Sequence, residues 1–258
     1  MTGGGYAVPE VPIRFEVGET TIGALTALPD DLEALAIGWL LAEGFLELGD
    51  PAPPVAVQDD GLVTVIRAEL PPERIERAAA VRRHRREHGC GPLHPYICAP
   101  PAPGPGPDPS SMPASDSVPD PSALPSLFRE LFAAGPRRDQ GGGVHIAALS
   151  DGRSLRFTVE EVGRHNAVDK VLGRTLLAGH DPRGRGLVLT ARISGEIAFK
   201  AARARLGWVA SRSVPTDLAV RIARATGVVL IARAAGKEPT LHLPPRRDQL
   251  TPSMGEAP

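Results

Sequence analysis

Cys90 sits in the run His88-Gly89-Cys90-Gly91-Pro92, immediately after the cationic stretch Arg82-Arg83-His84-Arg85-Arg86. Flanking glycines remove side-chain cover and permit unusual backbone angles, so the sulfur is expected on an exposed loop. A thiol of pKa ~8.5 is about 3% thiolate at pH 7, and lowering it to ~6.5 makes it roughly three-quarters thiolate. Nearby guanidinium groups act in that direction, so Cys90 is the candidate nucleophile. Cys98, beside Ile97 and ahead of Pro100 and Pro101, lacks such surroundings. His84 and His88 fit the His-x-x-Glu-His spacing of one zinc peptidase class, but their helix is the most cationic stretch of the chain and disfavours a divalent cation. No zinc is expected.

Further candidates lie downstream. Gly141-Gly142-Gly143-Val144-His145 brings backbone amides close to a strand start. Arg164-His165-Asn166 opens a helix, where exposed N–H groups favour a phosphate or a carbonyl-rich ring, and Asp169 lies one turn after His165 on a shared face, within reach of a hydrogen bond. Thr190-Ala191-Arg192-Ile193-Ser194 and Ser211-Arg212-Ser213-Val214-Pro215-Thr216 each join a strand to a helix start, and together they would cradle a pyrophosphate. Ser194 and Thr216 are also ordinary helix caps.

The elements that must position these groups follow from hydrophobic period and turn signals. Two N-terminal hairpins are expected: one from alternating Ile13, Phe15 and Val17 with the return Thr21 to Leu25, the other from Val55–Val57 and Val63–Val65 around Asp59-Asp60-Gly61. Between them a helix opens with Asp30 as cap and Glu33 three residues on, shows one apolar face at Leu32, Leu35, Ala36, Trp39 and Leu40, and stops at Gly44. Another starts at Pro71-Pro72 and runs into the arginine cluster. From Pro92 to about Pro125 prolines recur among Ser, Ala and Gly, a composition that cannot pack a core and predicts an extended or disordered segment closed by a short helix, Leu127 to Ala134. From Gly141 onward strands and helices alternate: strands over 144–149, 155–159, 187–189, 208–210 and 228–231, helices over 164–177, 196–206 and 216–225. This predicts an α/β fold whose core is a mixed, largely parallel sheet with helices on both faces, preceded by a small α+β N-terminal subdomain. The expected division is 1–89 for that subdomain, 90–140 for the cysteine loop and proline-rich segment, 141–245 for the α/β core and 246–258 for a disordered tail. Ligands on such sheets sit beyond the carboxyl ends of the strands.

Composition narrows the function classes. The 258 residues carry 29 Lys+Arg against 30 Asp+Glu, which argues against a globally basic nucleic-acid binder. No apolar run approaches the ~18 residues of a membrane helix, the start lacks the pattern of a signal peptide, and two cysteines make no disulfide framework, so the chain is expected in the cytoplasm with its cysteines as thiols.

The segments Pro29 to Gly44, Cys90-Gly91, Gly142-Gly143-Val144-His145, Val162 to Lys170, Arg192-Ile193-Ser194, Pro215-Thr216 and Ala219-Val220 together resemble the FdhD family, the sulfur-carrier accessory proteins of formate dehydrogenases. The run Val162-Gly163-Arg164-His165-Asn166-Ala167-Val168-Asp169-Lys170 is the most specific part. The resemblance implies a cytidine-deaminase-like core without the deaminase zinc site, consistent with the lack of His-x-Glu and Pro-Cys-x-x-Cys signatures. It implies a sulfurtransferase of carrier type, which accepts sulfur from a cysteine desulfurase as a Cys90 persulfide. That sulfur would pass to the molybdenum (or tungsten) bis-guanine-dinucleotide cofactor before insertion into formate dehydrogenase.

Carried over, Ile231, Ala232, Arg233, Ala234, Ala235 and Gly236 match the stretch that contacts the cofactor. Gly142, Gly143, His145, Arg164, His165, Asn166, Asp169, Lys170, Arg192 and Ser194 are the remaining pocket candidates. The expected partners are the desulfurase and formate dehydrogenase, with homodimer formation compatible and neither nucleic acid nor membrane involved. The chain departs from the family at Cys90-Gly91-Pro92-Leu93-His94, where Cys-Gly-x-Cys-Gly is usual. A second thiol would resolve a persulfide to a disulfide and eject sulfide, so without it that route is closed unless Cys98 folds back. The alternative is a cofactor-binding chaperone that carries no sulfur.

Overall fold

In the computed structural model the described residues are 7–76, 118–137 and 142–243. Cys90, Cys98, the arginine cluster, His84, His88, Gly141 and most of the proline-rich segment lie outside them. The first sheet has four strands in the order β2-β1-β4-β3: β1 (Val11–Val17), β2 (Thr20–Ala27), β3 (Val55–Asp59) and β4 (Thr64–Ala68). Both expected hairpins form, and β1 and β4 join them side by side in parallel.

The helix between the hairpins, α1 (Leu32–Glu43), departs from its expected single apolar face: Ala34 to Gly38 and Leu40 to Ala42 are all buried. It is covered on one side by the first sheet, where Trp39 stacks on Phe15 with centroids 4.4 Å apart, and on the other by a later helix. A helix apolar all round is a helix buried all round. Its start also differs from expectation. Asp31, in the left-handed region at φ 50°, is the N-cap and makes no side-chain cap bond; its carboxylate pairs with Arg174, while Asp30, the expected cap, is engaged by Arg137 and Lys170. Gly44 ends α1 as expected, with φ 84° and its N–H on the carbonyls of Leu40 and Leu41.

The second sheet has six strands in the order β10-β9-β8-β7-β5-β6: β5 (His145–Ser150), β6 (Leu155–Glu161), β7 (Gly186–Leu189), β8 (Trp208–Ser211), β9 (Val229–Ala232) and β10 (Thr240–His242). Only β7, β8 and β9 run parallel; β5 is antiparallel to both β6 and β7, and β10 to β9. The sheet is mixed as expected but not largely parallel: two of its pairings are parallel and three antiparallel. The direct turn at Asp151-Gly152 forces β6 to run back beside β5, whereas the strands that follow α-helices return in one direction.

Helices α3 (Arg164–Leu177), α4 (Gly195–Arg203) and α5 (Asp217–Thr226) cover one face through Ala147, Leu149, Leu187, Leu189, Val209 and Leu230, in a core continuous with that of α1 and the first sheet. On the other face α2 (Leu124–Ala133) packs Leu124, Leu127, Phe128 and Leu131 against Ile146, Val188, Trp208 and Ile231. Helices thus lie on both faces, as expected. α2 begins three residues earlier than the sequence suggested. Pro125 is tolerated in its first turn, where no intrahelical N–H is needed, and a 3-10 turn capped by Asp120 precedes it.

Candidate functional site

The carboxyl ends of β6, β7, β8 and β9 and the start of β5 form one edge of the second sheet, and most of the residues singled out in the sequence gather there. Gly142 and Gly143 lead into β5 with φ 77° and 78°, a left-handed conformation open to glycine without strain. His145 begins β5, half-buried, and burial followed by the charge of Arg164 keeps its imidazole below the ordinary histidine range.

The two strand-to-helix turns expected to converge do so. Ile193 N–H donates to the Val214 carbonyl at 3.2 Å and Thr216 N–H to the Ile193 carbonyl at 3.0 Å. The Ser211 hydroxyl reaches the Ala191 carbonyl at 2.5 Å. Ser194 caps α4 through Ile197 N–H, and Thr216 caps α5 through Ala219 N–H. The loop leaving β9 is fastened to the same turns: Arg233 N–H meets the Ser213 carbonyl and Ala234 N–H the Ser211 carbonyl, each at 2.8 Å. Arg233 has φ 51° and is exposed, as are Arg192 and Arg212, while Ile231, Ala232 and Ala234 are buried. Of the segment Ile231 to Gly236, Arg233, Ala235 and Gly236 therefore face outward enough to meet a ligand.

The helix-start group splits into two sets. His165 points along the edge, with Nε2 3.0 Å from Ser194 Oγ and Nδ1 3.3 Å from Glu196 Oε2. It does not bond Asp169, as the one-turn spacing had suggested. Asp169 turns inward, where its two oxygens lie 2.7 and 2.5 Å from the buried Lys200 ammonium. Asn166 donates to the Thr26 carbonyl at 2.7 Å and ties α3 to the first sheet. Lys170, fully buried, reaches Glu161 at 2.5 Å, Asp30 at 2.9 Å and the Leu28 carbonyl at 3.2 Å. Asn166, Asp169 and Lys170 thus hold the scaffold rather than line the open edge. Glu196 and Lys200 were missed by sequence reasoning. Their one-turn spacing from each other, i and i+4, gave the signal that α4 presents a polar face toward α3.

The charges here have opposite signs of pH dependence. Burial first, then Lys200, Arg164 and His145, push His165 down to about 3, so it is neutral at pH 7. Burial raises Asp169 to about 6 despite Lys200, with Glu196 and Glu43 adding to the rise. A histidine whose folded value is depressed binds fewer protons than the unfolded chain, so its contribution is lost as pH falls from about 6.5 to about 3, on the order of 5 kcal/mol at most for that shift. Asp169 works against it, since a raised carboxyl gains stability as pH falls through about 6. His165→Gln removes the first effect alone. Its stability relative to the parent is expected to improve by a few kcal/mol between pH 7.5 and pH 4, as read by urea unfolding at both values. A pH-independent difference would contradict this account.

The fold and edge define an α/β protein of mixed sheet in which strand ends, two capped helix starts and three exposed arginines share one edge. Residues 8–248 match the model of the FdhD/NarQ family, and the chain belongs to that family. It is 32% identical over 257 residues to a sulfur carrier protein FdhD of Xanthomonas axonopodis pv. citri (strain 306), covering 96% of this chain and 87% of the relative. It is 30% identical over 238 residues to the protein of that name from Burkholderia mallei (strain ATCC 23344), covering 88% and 85%. Among solved structures, a protein from Desulfotalea psychrophila described as a formate dehydrogenase accessory protein superposes with a TM-score of 0.67 at 25% identity, over 93% of this chain and 89% of that one. No helix among the described residues is long and apolar enough to cross a membrane.

Proposed function

We propose that this protein is a cytoplasmic sulfur carrier for formate dehydrogenase, with Cys90 as the carrying residue and the α/β edge as the seat of the receiving cofactor. The observation that carries the reading is the convergence of three backbone turns, after β7, β8 and β9, hydrogen-bonded to one another at one sheet edge. Two helix starts there have side-chain caps, and three exposed arginines, Arg192, Arg212 and Arg233, belong to the turns. Such an edge suits the pyrophosphate and guanine ends of a bis-guanine-dinucleotide molybdenum cofactor. The family membership and the names of the relatives support the same assignment.

The chemistry balances as a sulfane transfer. The Cys90 thiolate attacks the terminal sulfur of a desulfurase persulfide; a new S–S bond forms on Cys90 and the desulfurase cysteine leaves as thiolate. At the cofactor, the substrate of this step, the terminal sulfur would pass to a reduced metal centre that gives up two electrons and takes the sulfur as sulfide, and Cys90 would depart as thiolate. Arg233, with Arg192 and the backbone of Gly142 and Gly143, would hold the cofactor while this happens. With Leu93 where the family carries a second cysteine, internal disulfide formation does not compete at that position.

The same departure favours a second reading, a chaperone that binds cofactor without carrying sulfur. Incubation with a cysteine desulfurase and cysteine is expected to add one sulfur to Cys90 in the intact mass, and Cys90→Ser to abolish both the adduct and the support of formate dehydrogenase activity. Full support by Cys90→Ser would establish the chaperone reading instead.

A further inference from the structure

We propose that the end of the second sheet opposite the candidate edge is a docking surface for an acidic peptide segment of a partner protein, one that carries an apolar side chain among its carboxylates. The surface lies where the β5–β6 hairpin meets the loop between α3 and β7. There Leu149, Phe157, His180, Arg156 and Arg185 line a cavity of about 200 Å3. Ser150, the last residue of β5, pairs with Gly186, the first of β7, so this cavity and the turns after β7, β8 and β9 lie at opposite strand ends.

A bulge places the aromatic wall. Ala147 pairs with Val159 and Leu149 with Arg156, so two residues of β6, Phe157 and Thr158, stand opposite the single Ala148. Phe157 has φ 53°, a left-handed conformation that is sterically costly for a bulky side chain and free for glycine. Bulges re-aim side chains. The Phe157 ring lies 5.5 Å from that of His180, and it also lines a second cavity, of about 430 Å3, with Leu32 and Leu177. Protection of an edge strand accounts for a bulge but not for this residue: a glycine would make the same bulge without strain, and Arg174 already covers the Thr158 carbonyl.

The charges decide what fits. Both carboxylates at the cavity are already engaged: Asp151 accepts the N–H groups of Arg153 and Ser154, and Asp181 pairs with Arg183. Those bonds first, and the charge of Arg185 last, hold both below the ordinary aspartate value. The guanidinium groups of Arg156 and Arg185 are exposed and make no hydrogen bond or ion pair among the described residues. Arg153 in the hairpin turn, and Arg205, whose carbonyl accepts Gly184 N–H, add two more such groups. In a chain of 29 Lys+Arg against 30 Asp+Glu this is a local excess of positive charge, and it favours an acidic partner.

Arginines alone would be solvated surface. Arginines around an aromatic-walled cavity have the composition of interface hot spots, where Arg and aromatic side chains concentrate. At about 200 Å3 the cavity is below the range of about 300–1,000 Å3 typical of small-molecule sites, and it suits a single side chain. Carboxylates on either side of that side chain would meet Arg156 and Arg185, whose planar forks match carboxylate oxygens in pairs. Docking here leaves the opposite edge open.

The test is selection of a displayed library of random peptides on the immobilised full chain, followed by fluorescence anisotropy with a synthetic copy of the most enriched peptide. The expected result is enrichment of Asp and Glu on both sides of Leu, Phe or Tyr. Affinity for that peptide is expected to fall about tenfold or more when Arg156→Glu and Arg185→Glu are combined, and also in Phe157→Asn, where asparagine tolerates the left-handed backbone but removes the ring. Both arginines are exposed, so their variant tests the proposal even if Phe157→Asn fails to fold. A selection without acidic enrichment overturns the proposal, as does unchanged affinity in the arginine variant. Binding of poly(U) RNA at least as tight as that of the peptide, and lost in the same variant, would assign the face to nucleic acid and overturn it too.

Discussion

Replacing Lys170 with methionine is expected to lower the unfolding free energy by about 3–5 kcal/mol, the usual consequence of removing one partner from a buried ion pair. Lys170 is entirely enclosed, and so is its partner Glu161. Glu161 has an anchoring role of its own: its Oε1 accepts N–H groups from Leu28 at 2.9 Å, Val162 at 2.8 Å and Gly163 at 3.4 Å. Without Lys170 this carboxylate would keep those donors but lose its counter-charge, and Asp30 would keep only Arg137, at 2.7 Å. Burial pushes Asp30 up, but the hydrogen bond and charge of Lys170 and then Arg137 outweigh it and hold it below the ordinary aspartate value. The charge network thus fixes the loop before α1 to the strand end that precedes His165. Chemical denaturation should show a lower midpoint with an unchanged slope. Adding Glu161→Gln to Lys170→Met should recover part of the loss, because a neutral amide needs no counter-ion. A cost below 1 kcal/mol for Lys170→Met would mean that water replaces the ammonium.

An alanine at Gly38 or at Gly173 is expected to cost about 3 kcal/mol, at the upper end of overpacking effects. The two glycines let α1 and α3 cross with backbone against backbone. A Cβ on Gly38 would lie 1.9 Å from the Asp169 carbonyl oxygen, and one on Gly173 would lie 1.8 Å from that of Ala34. No side chain can move aside at either position, so the helices themselves must part. For a chain of this size the melting temperature should fall by roughly 6–12 °C. Both substitutions act on one crossing, so the double variant should lose less than the sum of the singles, and strict additivity would contradict a shared contact.

Much of the architecture was readable before any tertiary contact was known. The bounds of α3 match the structure because its apolar residues keep helical spacing between Gly163 and the small residues after Leu177. The stops at Gly44 and Gly227 are both left-handed glycines, and the caps Ser194 and Thr216 are short hydroxyl side chains placed before apolar-periodic runs. The mixed sheet order was not readable. Nothing in the apolar run of β5 states its direction, which depends on the strands beside it. The edge strand β10 is three residues long, with Thr240 and Leu241 exposed, and leaves almost no hydrophobic signature.

The residue types of the candidate edge came from local order along the chain, the helix-start run from Val162 to Lys170 and hydroxyls ahead of helices, and the family from these together with Cys90 between glycines. Their pairings came from packing alone. Asp169 meets a lysine 31 positions away and Lys170 an aspartate 140 positions away, because α3 is wedged between α1 and α4 and each of its faces meets a different element. His165 accordingly turns to Ser194 and Glu196 rather than to the residue one turn along. Sequence spacing fixes which side chains share a face of a helix; which neighbour that face meets is decided only when the helices and sheets close on a common core.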